Sequence, residues 1–216
     1  PGTLQTLNYV IQTNSHRVKK EEVLELPPLV RQINSVELTP EQNRHYKEMS
    51  RDFITYIKDK ACVAELALTK LVRLQQIMVG IIKTADGSIE RIPTGKIGIL
   101  KELLEDLCPH NKVIVWSNFV DTYRDIRDLC DSLKLGSVEI VGEQSDGSKQ
   151  TEDERQDAID RFNNDPDIHV AVASQQAGGV GIGLQAASYM IYYSKSFDLE
   201  HDLQSESRNH RAGCEH

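Results

Sequence analysis

The alternation of apolar and polar positions changes character near residue 112. Downstream of it, short apolar runs alternate with amphipathic stretches. Val113-Ile114-Val115-Trp116, within 112–117, reads as a buried strand, followed by a helix over about 120–134 and a strand around 138–141. A polar loop fills 142–150. Thr151-Glu152-Asp153-Glu154 then opens a helix as a capping box, and that helix is expected to end near Phe162. A buried strand at 168–173 runs into a glycine-rich turn, then a strand at 188–193 and a helix at about 199–209. Strands alternating with helices over such a length predict an α/β fold, a parallel sheet with helices on both faces.

Upstream the pattern is mainly helical. Residues 18–24 read as a short charged helix closed by Leu26-Pro27-Pro28, because the position before proline disfavours helix. Residues 30–38, with Val36 and Leu38 alternating, read as a strand. Thr39-Pro40-Glu41-Gln42 is a helix start: Thr39 caps, Pro40 loses no needed donor, and Gln42 reaches back. That helix is expected to run to about Lys58. A second should cover about 61–79, with Leu66, Leu71, Leu74 and Ile77 on one side. Asp86-Gly87 between apolar residues predicts a hairpin, and another helix should span about 96–107. The expected division is a connector at 1–29, a helical segment with a hairpin at 30–111, and a core at 112–216.

Composition narrows the function classes. The 216 residues carry 25 Lys+Arg and 33 Asp+Glu, a formal net charge of -8, with 39% hydrophobic and 27% charged residues. That is a globular balance, not a disordered one. No stretch approaches the roughly 18 uninterrupted apolar residues of a membrane span, and no signal segment opens the chain, so an intracellular protein with no membrane partner is expected. The acidity argues against a nucleic-acid binder of the basic-patch kind. Its distribution weakens that exclusion. Residues 113–216 hold 9 basic and 19 acidic groups, whereas residues 1–112 are net positive by two. The cysteines Cys62, Cys108, Cys130 and Cys214 have no CxxC spacing and read as reduced structural thiols. The chain opens on Pro1 rather than Met, and a fragment of a longer protein or a processed product is expected.

Three motifs imitate nucleotide or metal sites. Thr94-Gly95-Lys96 lacks the earlier glycine and the following hydroxyl of a phosphate loop, and reads as a helix start. Gly181-Ile182-Gly183 fits a relaxed dinucleotide fingerprint, but follows two earlier strand-helix units, and the next strand ends in Tyr193-Ser194 without an acid. Glu152-Asp153-Glu154 is better explained as a capped helix start than as a metal box.

A stronger constellation remains. Ala177-Gly178-Gly179-Val180-Gly181-Ile182-Gly183-Leu184 follows a buried strand, and glycines let backbone approach a ligand closely. After one more strand come Gln204, Arg208 and Arg211; arginines three apart share a helix side, and paired guanidinium groups suit a polyphosphate. The plain alternative is a pair of solvated surface arginines.

Together these residues resemble the second RecA-like domain of superfamily-two helicases, specifically the Snf-type DNA translocases, with a phage or bacterial member implied. Gln204, Arg208, His210, Arg211 and Gly213 match the closing motif in register. Ser174, Ala177, Gly178, Gly179, Gly181 and Leu184 match the motif before it. Gly142, Arg155 and Phe162, and upstream Leu38-Thr39-Pro40-Glu41-Gln42 with Tyr46, fit further signatures. The likeness covers about residues 17–214. Gln175, Gly183, Ser194, Ser207 and Cys214 depart from the family pattern, which commonly has Thr, Asn, Asp, Asp and Gln there.

The resemblance implies a motor that binds ATP with Mg2+ between two RecA-like domains. The phosphate loop and magnesium acids belong to a first, N-terminal domain absent from this chain, so the chain alone is expected to be inactive. Arg211 would be the arginine finger and Arg208 its partner. Gln204, Gly179 and Gly181 would complete the ATP side. Ser174, Gln175, Gly178 and Asn118 would contact DNA, with double-stranded tracking favoured over single-stranded binding, and Lys112 and Arg124 are further candidates. Location would be cytoplasmic, or nuclear in a eukaryote. The competing reading is a non-catalytic α/β module that binds a protein partner; a dinucleotide-binding domain ranks below both.

Overall fold

The structure, a computed structural model, describes residues 3–15, 29–52, 54–57, 60–63, 67–176 and 183–208. Its centre is a four-stranded parallel sheet of β5 (Lys112–Trp116), β6 (Gly136–Ile140), β7 (Ile168–Ala173) and β8 (Ala187–Tyr192), in spatial order β6-β7-β5-β8. The period-two pleat of β5 sends Val113 and Val115 to one face and Ile114 and Trp116 to the other. On the first face lie α4 (Lys96–Leu107) and α5 (Val120–Ser132), with Leu100 and Leu104 from one and Tyr123, Ile126 and Cys130 from the other. On the second lies α6 (Glu152–Asn164), through Ala158, Ile159 and Phe162. Each fully buried Leu, Ile or Phe is worth about 1.5–3 kcal/mol over exposure. Both faces are therefore covered, as a parallel sheet requires.

Local chemistry sets the boundaries. α6 starts on the expected capping box: Thr151 Oγ1 accepts from Glu154 N at 3.3 Å, and Thr151 N donates to Glu154 Oε2 at 2.8 Å. It stops at Asp165, held extended ahead of Pro166. The strand pairing slips between Gly136 and Ser137, opposite Ile168 and Val170. A Cβ on Gly136 would lie 2.1 Å from the Asp167 carbonyl, so only glycine fits there.

Upstream, α2 (Pro40–Asp52) and α3 (Ala67–Met78) pack with the hairpin of β3 (Ile81–Lys83) and β4 (Ile89–Arg91). Met49, Leu74, Ile77, Ile82 and Ile92 form their core. Gln42, only 1% exposed, accepts from Thr39 N at 3.1 Å and donates to the Ile77 carbonyl at 2.9 Å, so it closes one helix end while opening another. The Asp86-Gly87 turn is present, with Gly87 at φ +84°.

Several expectations are corrected. Residues 30–38 form no strand, for they meet no partner ladder; Val36 packs against Gly95 instead. The first helix ends at Asp52, not Lys58, and the second begins at Ala67, not 61. Between them β1 (Ile54–Ile57) pairs antiparallel with β2 (Lys60–Val63). α1 (Thr3–Asn14) occupies a stretch where no element was anticipated. The expected helix at 18–24 lies outside the described residues. α7 spans Leu199–Glu206, three residues shorter than anticipated.

Candidate functional site

All four core strands run the same way, so the residues that follow them gather at one carboxyl edge, where ligands of open α/β sheets are bound. Ser117 and Asn118 follow β5, Ser174 and Gln175 follow β7, and Tyr193 and Ser194 follow β8. A buried hydroxyl chain ties the first and third groups: Ser117 Oγ lies 2.7 Å from Thr122 Oγ1 and 2.9 Å from Ser194 Oγ. Ser194 Oγ also accepts from Asn118 N at 2.9 Å. Thus Ser194, where the family commonly has Asp, still orders the backbone after β5. Tyr123 donates to the Ser117 carbonyl at 3.3 Å, and burial pushes its phenol up to about 12.

Of the residues singled out from the sequence, Ser174 and Gln175 are buried and Asn118 is half-buried. Gln175 accepts from Asn118 Nδ2 at 3.1 Å and from Ser196 N at 2.7 Å, and donates to Asp202 Oδ1 at 2.7 Å and Ser205 Oγ at 3.2 Å. The edge is thereby joined to α7. Gln204, half-buried on α7, donates to Glu200 Oε1 at 2.9 Å. Arg208, just beyond the helix, is 5% exposed, which sets it apart from a solvated surface arginine. Gly178, Gly179, Gly181 and Arg211 lie outside the described residues. The exit of the glycine turn is described: Leu184 N donates to the Arg208 carbonyl at 3.3 Å, and Asn163 Nδ2 donates to the Gly183 carbonyl at 2.9 Å. Leu184, at the exit of the turn, and Arg208 therefore meet.

The remaining candidates stand elsewhere. Lys112 begins β5, at the amino edge, and its ammonium donates to the Phe162 and Asp165 carbonyls, both at 2.6 Å. Arg124 donates to the Ser145 carbonyl at 3.0 Å. Lys96 opens α4, as expected of a helix start, and donates to the Tyr193 carbonyl at 2.9 Å. Burial lowers its pKa. Sequence reasoning passed over Ser117, Thr122, Asn163, Asp202 and Ser205. For Ser117 the signal open to it was a polar residue placed directly after an apolar strand; Thr122, Asn163, Asp202 and Ser205 lie within helices and gave no such signal.

Among the described residues no group of His, Cys, Asp and Glu is arranged to hold a metal ion. Asp202, the carboxylate nearest the edge network, is shared between Gln175 and Lys195, the latter at 2.9 Å. The described residues thus do not fit a magnesium site. Among them, no helix is long and apolar enough to cross a membrane.

Residues 95–213 match the helicase conserved C-terminal domain, and the chain belongs to that family. Within it, this is a C-terminal domain of the superfamily-two, Snf-type helicases. The chain is 32% identical over 173 residues to the ATP-dependent helicase fft2 of Schizosaccharomyces pombe, covering 80% of this chain and 13% of the relative. It is 28% identical to an ATP-dependent helicase of Mycoplasma pneumoniae, covering 98% of this chain and 20% of the relative. The solved C-terminal domain of the Sulfolobus solfataricus SWI2/SNF2 ATPase is similar with a TM-score of 0.55 and 28% identity, over 74% of this chain and 69% of that one. The chain spans between an eighth and a fifth of the length of these two curated relatives.

Proposed function

We propose that this chain is the second motor domain of an ATP-dependent DNA translocase, working inside the cell with an N-terminal RecA-like domain of the same protein. The observation that carries the reading is the junction at the carboxyl edge, where the Leu184–Arg208 backbone bond holds the exit of the glycine turn against the arginine-bearing end of α7. ATP with Mg2+ is held mainly by the first domain. Arg211 acts as the arginine finger, with Arg208 beside it and Gln204, Gly179 and Gly181 shaping that side of the cleft. Such a finger stabilises charge spread over the transferring phosphoryl group, and contributes about 10³–10⁵ in turnover.

On the nucleic-acid side, Ser174, Asn118 and the backbone N–H groups around Gly178 meet phosphates of one strand of duplex DNA. Hydroxyl, amide and backbone donors position a phosphate backbone without net positive charge, which suits a core carrying 19 acidic against 9 basic groups. Gln175 contributes through its place in the edge rather than through a free polar atom. Closure of the two domains on ATP then advances the strand.

The test is DNA-stimulated ATP turnover of the full-length protein and of its Arg211→Ala variant. Turnover is expected to fall by about 10³ or more with ATP binding retained. Unchanged turnover removes Arg211 from the catalytic role. DNA-stimulated hydrolysis by the isolated 216-residue chain overturns the reading that half of the site lies elsewhere.

A further inference from the structure

Gln175 is the most fully engaged polar side chain of the carboxyl edge, and phosphate contact leaves its role unexplained. It is 1% exposed, immediately follows Ser174, and stands two residues before the glycine-rich stretch at 177–183. A glutamine amide offers two acceptor positions and two N–H donors. All are used: Oε1 takes Asn118 Nδ2 and Ser196 N, and Nε2 gives to Asp202 Oδ1 and Ser205 Oγ. No polar atom is left for a phosphate.

The four partners come from the loop after β5, the loop after β8, and two successive points on α7. These segments are otherwise distant in sequence, Asn118 by 57 residues and Ser205 by 30. The partners are themselves fixed. Asp202 takes Lys195 on its other oxygen at 2.9 Å, and Ser205 Oγ lies 2.9 Å from the Tyr192 hydroxyl and donates to the Asp202 carbonyl at 2.8 Å. Gln175 and Ser205 are both buried at the centre of this network, and breaking one member leaves several groups unpaired. A shift of the residue entering the glycine turn is therefore passed to α7 without an intervening soft contact.

We infer that Gln175 is a positioning residue that locks α7, and with it Gln204 and Arg208, to the chain leaving β7, so that the position of that chain sets where Arg208 stands. This rests on the proposed function above. It assigns Gln175 to coupling within the domain, not to direct contact with DNA or nucleotide.

The test uses the full-length protein. Gln175→Glu keeps an acceptor for Asn118 and Ser196 but sets a carboxylate against Asp202. Asp202→Asn, added to it, restores the bond with donor and acceptor exchanged and leaves an oxygen for Lys195. Gln175→Thr, too short to span from Asn118 to Asp202, is the milder second variant. DNA-stimulated kcat per folded molecule is expected to fall about tenfold to a hundredfold in Gln175→Glu and Gln175→Thr, since small misplacements of catalytic groups cost that much. KM for ATP should move by less than about twofold, and the double variant should recover to within about threefold of wild type, as expected of directly coupled neighbours. Wild-type kcat in both single variants overturns the inference. So does a double variant as slow as Gln175→Glu, or a loss confined to Tm and folded fraction. Wild type and Arg211→Ala run alongside: a wild type without DNA-stimulated turnover sinks the proposed function itself, whereas an active wild type with active Gln175 variants sinks only the coupling.

Discussion

The two ends of the central sheet share one backbone ladder and differ in what their side chains do. At the amino end the bonds run from side chain to backbone, or the chain simply packs: Lys112 closes the carbonyls of Phe162 and Asp165, and Gly136 presses on Asp167. At the carboxyl end side chains also bond one another across elements: Ser117 to Thr122 and Ser194, Asn118 to Gln175, Gln175 to Asp202 and Ser205, Tyr192 to Ser205. Bonds between side chains are only about 10–15% of those in a folded protein. Burying so many hydroxyl and amide groups gains little stability over apolar packing, and each is costly if left unpaired. One end is built to hold the sheet, the other to hold a geometry.

Breaking that contrast should separate stability from turnover. After the Arg211 substitution, the largest effect is expected from Gly136→Ala. Its Cβ would lie 2.1 Å from a backbone oxygen, so the β6–β7 pairing must shift. Overpacking of this kind costs about 1–3 kcal/mol, or roughly 3–10 °C in Tm for a chain of this size. Turnover per folded full-length molecule should stay at the wild-type level. A lost kcat with an unchanged Tm would mean that the amino end shares in the mechanism. Lys112→Met comes next. It keeps the stem over Phe162 but removes the donor to two carbonyls, a loss of about 1–2 kcal/mol read by urea unfolding, again without a kinetic signature.

Ser194→Ala reverses the pattern at smaller scale. It removes the acceptor for Asn118 N and one partner of Ser117. A cost of about 1 kcal/mol is expected in unfolding, together with a drop in DNA-stimulated kcat that Lys112→Met does not show. Equal kinetic effects from the two variants would erase the distinction between the ends.

Much of this was legible in the sequence, and the reason lies in the period of each element. The helix at Lys96–Leu107 and the strand at Ile168–Ala173 were placed to the residue, because a long amphipathic stripe favours a helix and a short apolar run bounded by turn signals favours a strand. Ile54 to Val63 misled because its apolar spacing also fits the helix it interrupts; pairing of β1 with β2 decides the case. Residues 30–38 misled in the opposite sense, since a strand needs a partner that local pattern does not supply. At the site, the order of glycines, Gln204, Arg208 and Arg211 pointed to the family. The bonding of Gln175 was hidden, because its partners Asn118 and Asp202 are 57 residues before it and 27 after.

The effect expected to be smallest at neutral pH is read through its pH dependence, and it belongs to the carboxyl end. Tyr123 is 2% exposed, burial raises its phenol to about 12, and it donates to the Ser117 carbonyl. A raised native pKa means that the folded protein keeps the proton longer than the unfolded chain, whose tyrosines ionise near 10. Between those values the unfolded state binds fewer protons, so stability is fully present below about pH 10 and falls as pH rises toward 12. Tyr192, also raised to about 12 by burial, adds to the same alkaline loss. Tyr123→Phe removes one of these protons and a bond at the long end of the hydrogen-bond range. At pH 7 it should cost less than about 1 kcal/mol, while the decline above pH 10 becomes shallower by up to about 1.4 kcal/mol per pH unit. An alkaline limb identical to wild type would show that the phenol is not held neutral by the packing beneath Ser117, and that this end of the sheet is looser than its bonds indicate.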